Sequence, residues 1–119
     1  MTDVRTERRT LLVDGEPRVL TAGEIHYFRL HRRDWADRLA TLRSTGANAV
    51  ATYVPWVAHE RADGTIDVTG ATDDRLDVGA FLDLAADHGL AVILRPGPFV
   101  MAEMTGEGVP PRLRVEHPQ

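Results

Sequence analysis

The sequence predicts an α/β fold in which parallel strands are covered by helices. Two continuous apolar runs, Asn48 to Val54 and Leu90 to Leu94, lack strict alternation and read as buried strands. Amphipathic segments beginning at Trp35 and Val78 precede those runs at helical spacing. The joins from helix to strand are short. The loops that leave the strands are longer and richer in Trp, His, Glu and Pro, and in a sheet of βα units such loops carry the chemistry.

The elements follow in order. Residues 1–10 are polar, with Arg5, Arg8 and Arg9, and are expected to form a disordered N-terminal tail. Leu11 to Val13 and Val19-Leu20 flank Asp14-Gly15-Glu16-Pro17. This pattern suits a short β-hairpin, because Asp-Gly supplies the positive φ of a tight turn. Ala22 to Phe28 reads as a further short strand. Asp34 is placed to cap a helix carrying Trp35, Leu39 and Leu42, and Gly46 would close it. The strand Asn48 to Val54 is halted by Pro55, and residues 57–77 read as a polar loop. Val78, Phe81, Leu82 and Ala85 lie at i, i+3, i+4 and i+7 on a second helix closed by Gly89. The strand Leu90 to Leu94 ends at Arg95-Pro96-Gly97-Pro98. From Gly106 onward no periodicity is visible. Three strands are either an open α/β layer or the first part of a larger sheet. With the partner strands absent, side chains such as Val50 and Ile93 are expected to face an unfilled interior.

Composition narrows the function. The 119 residues carry 14 basic and 18 acidic side chains, a net charge of −4, which gives no footprint for nucleic acid. No apolar run is long enough to cross a membrane. Without a signal-peptide pattern a cytoplasmic location is expected. Cysteine and lysine are absent, which removes thiolate and Schiff-base chemistry, and the one serine, Ser44, falls within a predicted helix.

Polar-aromatic clusters lie at the ends of the predicted strands: Glu24 to Arg29, Tyr53 to Trp56, His59-Glu60 and Ala102-Glu103. Strands of one parallel sheet end on the same edge, so Tyr53 and Glu103 are expected to converge. Aromatic rings beside carboxylates suit sugars, whose C–H faces stack while their hydroxyls bond to acids. Each cluster also has a structural reading: Tyr53 and Trp56 as core or edge aromatics, His26 and His59 as satisfied histidines. Glu24, His26, His59 and Glu60 lack the spacing of a known metal motif, and no metal is expected. Arg95 to Pro98 has too few glycines for a phosphate loop.

Gly23-Glu24-Ile25-His26-Tyr27-Phe28-Arg29, Gly46-Ala47-Asn48, Thr52-Tyr53-Val54-Pro55-Trp56, His59-Glu60, Ile93-Leu94-Arg95-Pro96-Gly97-Pro98-Phe99 and Ala102-Glu103 occur in that order. The succession closely resembles the start of the catalytic domain of glycoside hydrolase family 35, the β-galactosidases, from about Leu11 to Leu113. The resemblance implies an α/β fold that is the N-terminal portion of a (β/α)8 TIM barrel. It would hold about three βα units preceded by a short β-hairpin, with the barrel incomplete. Residues 11–113 would be the partial catalytic domain and 114–119 an unstructured tail. The implied activity is retaining hydrolysis of terminal β-galactosides, with no cofactor.

The family's acid/base glutamate lies in an Asn-Glu motif at strand four and its nucleophile at strand seven. The only asparagine is Asn48 and no Asn-Glu pair occurs, so both catalytic glutamates are expected to be missing and the chain inactive alone. What the resemblance does imply is a galactose contact by Tyr53, Ala102 and Glu103. Trp56, His59 and Glu60 would shape the pocket wall. Departures include Phe99 for a tyrosine, Met104 for a tryptophan, and Glu107 between Gly106 and Gly108. The implied partner is a β-galactoside or other carbohydrate, with no nucleic acid and no membrane. Self-association or a complementing chain would cover the open sheet. Alternatives are a non-catalytic carbohydrate-binding or interaction module, and one half of a split glycosidase.

Overall fold

The computed structural model describes residues 2–118. An antiparallel sheet comes first: β1 (Val4–Glu7), β2 (Thr10–Val13) and β3 (Glu16–Pro17), in spatial order β1-β2-β3. The second sheet is parallel and comprises β4 (Ala22–Glu24), β5 (Ala49–Val54) and β6 (Ala91–Pro96), also in chain order. Helix α1 (Trp35–Ser44) links β4 to β5. The short helix α2 (Trp56–His59) and helix α3 (Val78–Asp87) lie between β5 and β6, and α4 (Pro111–Glu116) follows β6.

Both long helices and the parallel order agree with the sequence reading. The hairpin turns at Asp14-Gly15 as expected, but its second strand is Glu16–Pro17 and not Val19-Leu20, and the strand expected over Ala22 to Phe28 stops at Glu24. Both ends of the chain differ from the reading as well. The expected tail at 1–10 is ordered from Val4, because Val4 to Glu7 pair with Val13 to Thr10 and satisfy their backbone groups there. Met1 lies outside the described residues. At the other end, 114–119 was expected to be unstructured, but α4 runs to Glu116 with Pro111 at its first turn, where proline costs no hydrogen bond. Gln119 lies outside the described residues. The presumed loop 57–77 is structured as well, holding most of α2, a bridge between Glu60 and Ile66, and a 3-10 turn over Asp74–Leu76. These elements are too short for periodicity to reveal them.

The helix ends show which local signals held. Gly46 and Gly89 adopt φ of +90° and +69° just past α1 and α3, the left-handed conformation that ends a helix. Asp34 does not cap α1. A 3-10 turn over Arg32–Asp34 leads straight into the helix, so its backbone is already helical and its carboxylate accepts no backbone N–H. The cap that forms is at α3, where the Asp77 carboxylate accepts from the Ala80 N–H at 2.9 Å.

One face of the parallel sheet is packed. Tyr27, Trp35, Leu39, Val50, Phe81, Ala85 and Leu90 are all under 5% exposed and form one core with the two long helices. The rings of Trp35 and Phe81 meet edge to face at 5.4 Å, as do those of Tyr27 and Trp35 at 6.3 Å. Gly23 belongs to this face because a Cβ there would come within 2.5 Å of Leu42 Cδ1. The expectation for Val50 is thereby corrected: it is fully buried among the helices. In-register parallel pairing puts Gly23, Val50 and Val92 on the packed face. Glu24, Ala51 and Ile93 occupy the opposite one, with Tyr53 and Arg95 further along it. Asn48 ties the hairpin to the sheet, its side chain accepting from the Thr21 N–H at 2.9 Å and donating to the Val19 carbonyl at 2.8 Å.

Candidate functional site

The open face of the sheet gathers four polar side chains at the C-terminal ends of its strands. Glu24 ends β4, Tyr53 and Arg95 are opposite each other on β5 and β6, and His26 follows β4. The Arg95 guanidinium lies over the Tyr53 ring, 3.9 Å from its centroid, and Nη1 donates to the phenol oxygen at 3.1 Å. Its Nη2 pairs with Glu24 Oε1. The other carboxylate oxygen of Glu24 is 3.5 Å from His26 Nε2, and the His26 ring lies 5.6 Å from that of Tyr53. A continuous contact chain therefore runs His26, Glu24, Arg95, Tyr53.

Two consequences follow for ligand chemistry. The Tyr53 oxygen already accepts from a cation, so its O–H is directed elsewhere and is free to donate. With one face of its ring covered by Arg95, Tyr53 offers its hydroxyl more than a ring face. Burial is the main influence on His26 and holds its pKa below the usual value. Arg29 and Arg95 act in the same sense, and Glu24 and Glu103 oppose them. His26 is thus a neutral imidazole at pH 7. Its Nδ1 is buried without a hydrogen-bond partner among the described residues, as is Arg95 Nε.

Ala102 and Glu103 reach the same region on the loop after β6. Arg29 donates to the Ala102 carbonyl, which fixes this loop to the one after β4, and Ala102 is 1% exposed. Glu103 adopts φ of +48°, uncommon for a residue with a side chain, and is exposed. Its negative charge acts on His26, whose ring lies 5.6 Å from that of Tyr53. Behind the loop, a Cβ on Gly108 would sit 2.5 Å from Val100 Cγ2, so this close approach needs glycine. The inserted Glu107 is exposed and its carbonyl accepts from the Val100 N–H at 2.9 Å.

The other three candidates serve the scaffold. His59 is 2% exposed; its Nδ1–H donates to the Asp67 carbonyl and its Nε2 accepts from the Tyr27 hydroxyl at 2.7 Å. Burial pushes the Tyr27 phenol well up from its ordinary pKa, so it stays protonated to make that bond. Glu60 accepts from Arg112 at 2.6 Å and pins α4 beneath α2. The ring of Trp56 lies 5.8 Å from the same guanidinium. Glu24 and His26 are thus not joined by His59 and Glu60 in one ligand set. Sequence reasoning placed Glu24 in a strand-end cluster without assigning its role and passed over Arg95 as a site residue. Their signal was parity: once Ala49–Val54 and Ala91–Pro96 are aligned in register, Arg95 falls beside Tyr53.

Comparison with known proteins identifies the family. The chain matches the family described as Glycosyl hydrolases family 35 over residues 10–118, five residues beyond the end expected from the motifs. It is 40% identical over 116 residues to an exo-beta-D-glucosaminidase of Pyrococcus horikoshii, covering 98% of this chain and 15% of that protein. A beta-galactosidase of Mus musculus is 46% identical over 103 residues, or 87% of this chain and 15% of that one. Beta-galactosidase-1-like protein 2 of Homo sapiens is 48% identical over 88 residues, covering 74% and 13% respectively. The chain therefore spans about 15% of the length of such relatives. With the motifs in order and a match over nearly its whole length, the chain belongs to glycosyl hydrolases family 35.

Proposed function

We propose that these residues form the first part of a (β/α)8 barrel and supply one wall of the sugar pocket of a retaining β-galactosidase-like hydrolase. Tyr53 donates to a galactose hydroxyl and Glu103 accepts from another, with the Ala102 main chain beside them. Trp56, His59 and Glu60 hold the loops that shape the wall. The observation that carries this reading is the Tyr53 phenol at the strand ends, its oxygen accepting from Arg95 so that its O–H is left to donate, with the exposed Glu103 carboxylate on the loop after β6. The relatives' names span galactosidase and glucosaminidase. A neutral sugar is favoured here because Arg29 and Arg95 balance Glu24 and Glu103, leaving no net negative charge to attract an amino sugar.

On this reading the family's acid/base and nucleophile glutamates belong to strands outside these 119 residues, and these residues alone are expected to bind without turnover. Isothermal calorimetry with D-galactose and D-glucosamine tests the assignment, alongside an assay with 4-nitrophenyl β-D-galactoside. Millimolar galactose binding that is weakened about tenfold in Tyr53→Phe and in Glu103→Gln, without hydrolysis, is the expected result. Undiminished binding by both variants, or enzyme-like hydrolysis by this chain, would overturn it. A non-catalytic binding module or a split enzyme completed by a second chain is the second reading. It is favoured by apolar side chains left open around β6, Leu94 at 42% and Phe99 at 67% exposed.

A further inference from the structure

The contact chain on the open face leads beyond the residues that would touch a sugar. Arg95 ends β6 and makes three simultaneous contacts: it covers the Tyr53 ring, donates to the phenol oxygen, and pairs with Glu24. A planar guanidinium can do all three, whereas the single point charge of an ammonium cannot. Tyr53 has two soft degrees of freedom, its ring rotation and its O–H rotor. The first is restrained by the guanidinium over the ring. The second is biased because the cation occupies the side from which a donor would approach, so the O–H turns away from β6. Glu24 in turn holds Arg95, and its second oxygen faces His26.

We propose that Arg95, held by Glu24, is a positioning residue that fixes Tyr53 as a hydrogen-bond donor toward a sugar bound over the strand ends. The proposal rests on the sugar-binding reading above, but the orientation of Tyr53 can be tested apart from it. Arg95 acts on the ligand through Tyr53 and needs no contact of its own with the sugar.

The test uses the 119-residue chain with 13C in the tyrosine rings. Only two tyrosines are present, and Tyr53→Phe assigns the signals. Arg95→Ala is expected to shift the Tyr53 ring resonances and leave those of the buried Tyr27 in place. Galactose affinity should fall about tenfold in Arg95→Ala and about tenfold in Tyr53→Phe, and the double variant should be no weaker than either alone. Arg95→Lys should remain weak, and Glu24→Gln, which keeps its shape but loosens Arg95, should fall between. Should Arg95→Ala unfold the chain, Glu24→Gln and Arg95→Lys carry the same readout. Unmoved Tyr53 resonances, full rescue by lysine, or losses that multiply to about a hundredfold would overturn the proposal. If the wild-type chain binds no galactose while Tyr53 still moves in Arg95→Ala, the sugar reading fails and the clamp stands. If it binds and Arg95→Ala changes nothing, the clamp fails and the sugar reading stands.

Discussion

The two faces of the parallel sheet are made by the same strands and differ in nearly every other respect. Val50, with the helix side chains of Trp35, Leu39 and Phe81, is buried and apolar on one face. Glu24, Tyr53 and Arg95 make a polar, partly exposed contact chain on the other. A shift of one residue in strand register would exchange the two sets. Stability should therefore respond to the first face and ligand binding to the second, and substitutions can separate them.

The largest effect is expected in the core. Trp35→Ala removes a ring in edge contact with Tyr27 and Phe81, and its indole N–H no longer donates to the Tyr27 carbonyl at 3.2 Å. A loss of about 3–5 kcal/mol is expected, enough to unfold a domain of ordinary stability, and is read by chemical denaturation. Tyr27→Phe tests the buried polar pair. His59 Nε2 would lose its donor inside the core, at a cost of about 1–3 kcal/mol. On the open face, Tyr53→Phe should change stability by less than about 1 kcal/mol while weakening sugar binding. An equal loss of stability in Tyr27→Phe and Tyr53→Phe would break the comparison.

The smallest effect is electrostatic. The Asp67 carboxylate accepts from the Thr72 hydroxyl and from the N–H groups of Thr69, Ala71 and Thr72, and these bonds hold its pKa well below the usual range. Asp73 is held at about 2, chiefly by its bond from Arg75. Both are lowered in the folded state, so their stabilisation is complete above about pH 4 and is lost as the pH falls toward 2 and below. Asp67→Asn should flatten the acid limb of a melting-temperature profile between pH 4 and pH 2. An unchanged slope would show that this turn does not contribute to the acid limb.

How much of this was legible depends on the range of each signal. The runs of β5 and β6 and the helices opened by Trp35 and Val78 are written in local periodicity. So are the stops at Gly46 and Gly89. The pairing of Val4 to Glu7 with β2 was not legible, because exposed strands carry no apolar pattern. The fold of α4 was likewise hidden, since it is anchored by Glu60, 52 residues before Arg112. At the site, Tyr53 and Glu103 were expected from their placement at strand ends. Arg95 was not, because its role depends on register with β5 and on Glu24, 71 residues away. His59 was legible only as a histidine; that it holds Tyr27 and Asp67 together is a tertiary fact.

The central claim is that the open face at the strand ends binds a neutral sugar. The most direct measurement is a galactose titration of the 15N-labelled chain followed by amide shifts. The account predicts changes at Glu24 to His26, at Tyr53 and from Arg95 to Glu103, with the amides of α1 and α3 unmoved. Shifts spread over α1 and α3, or none at saturating galactose in a folded sample, would contradict it.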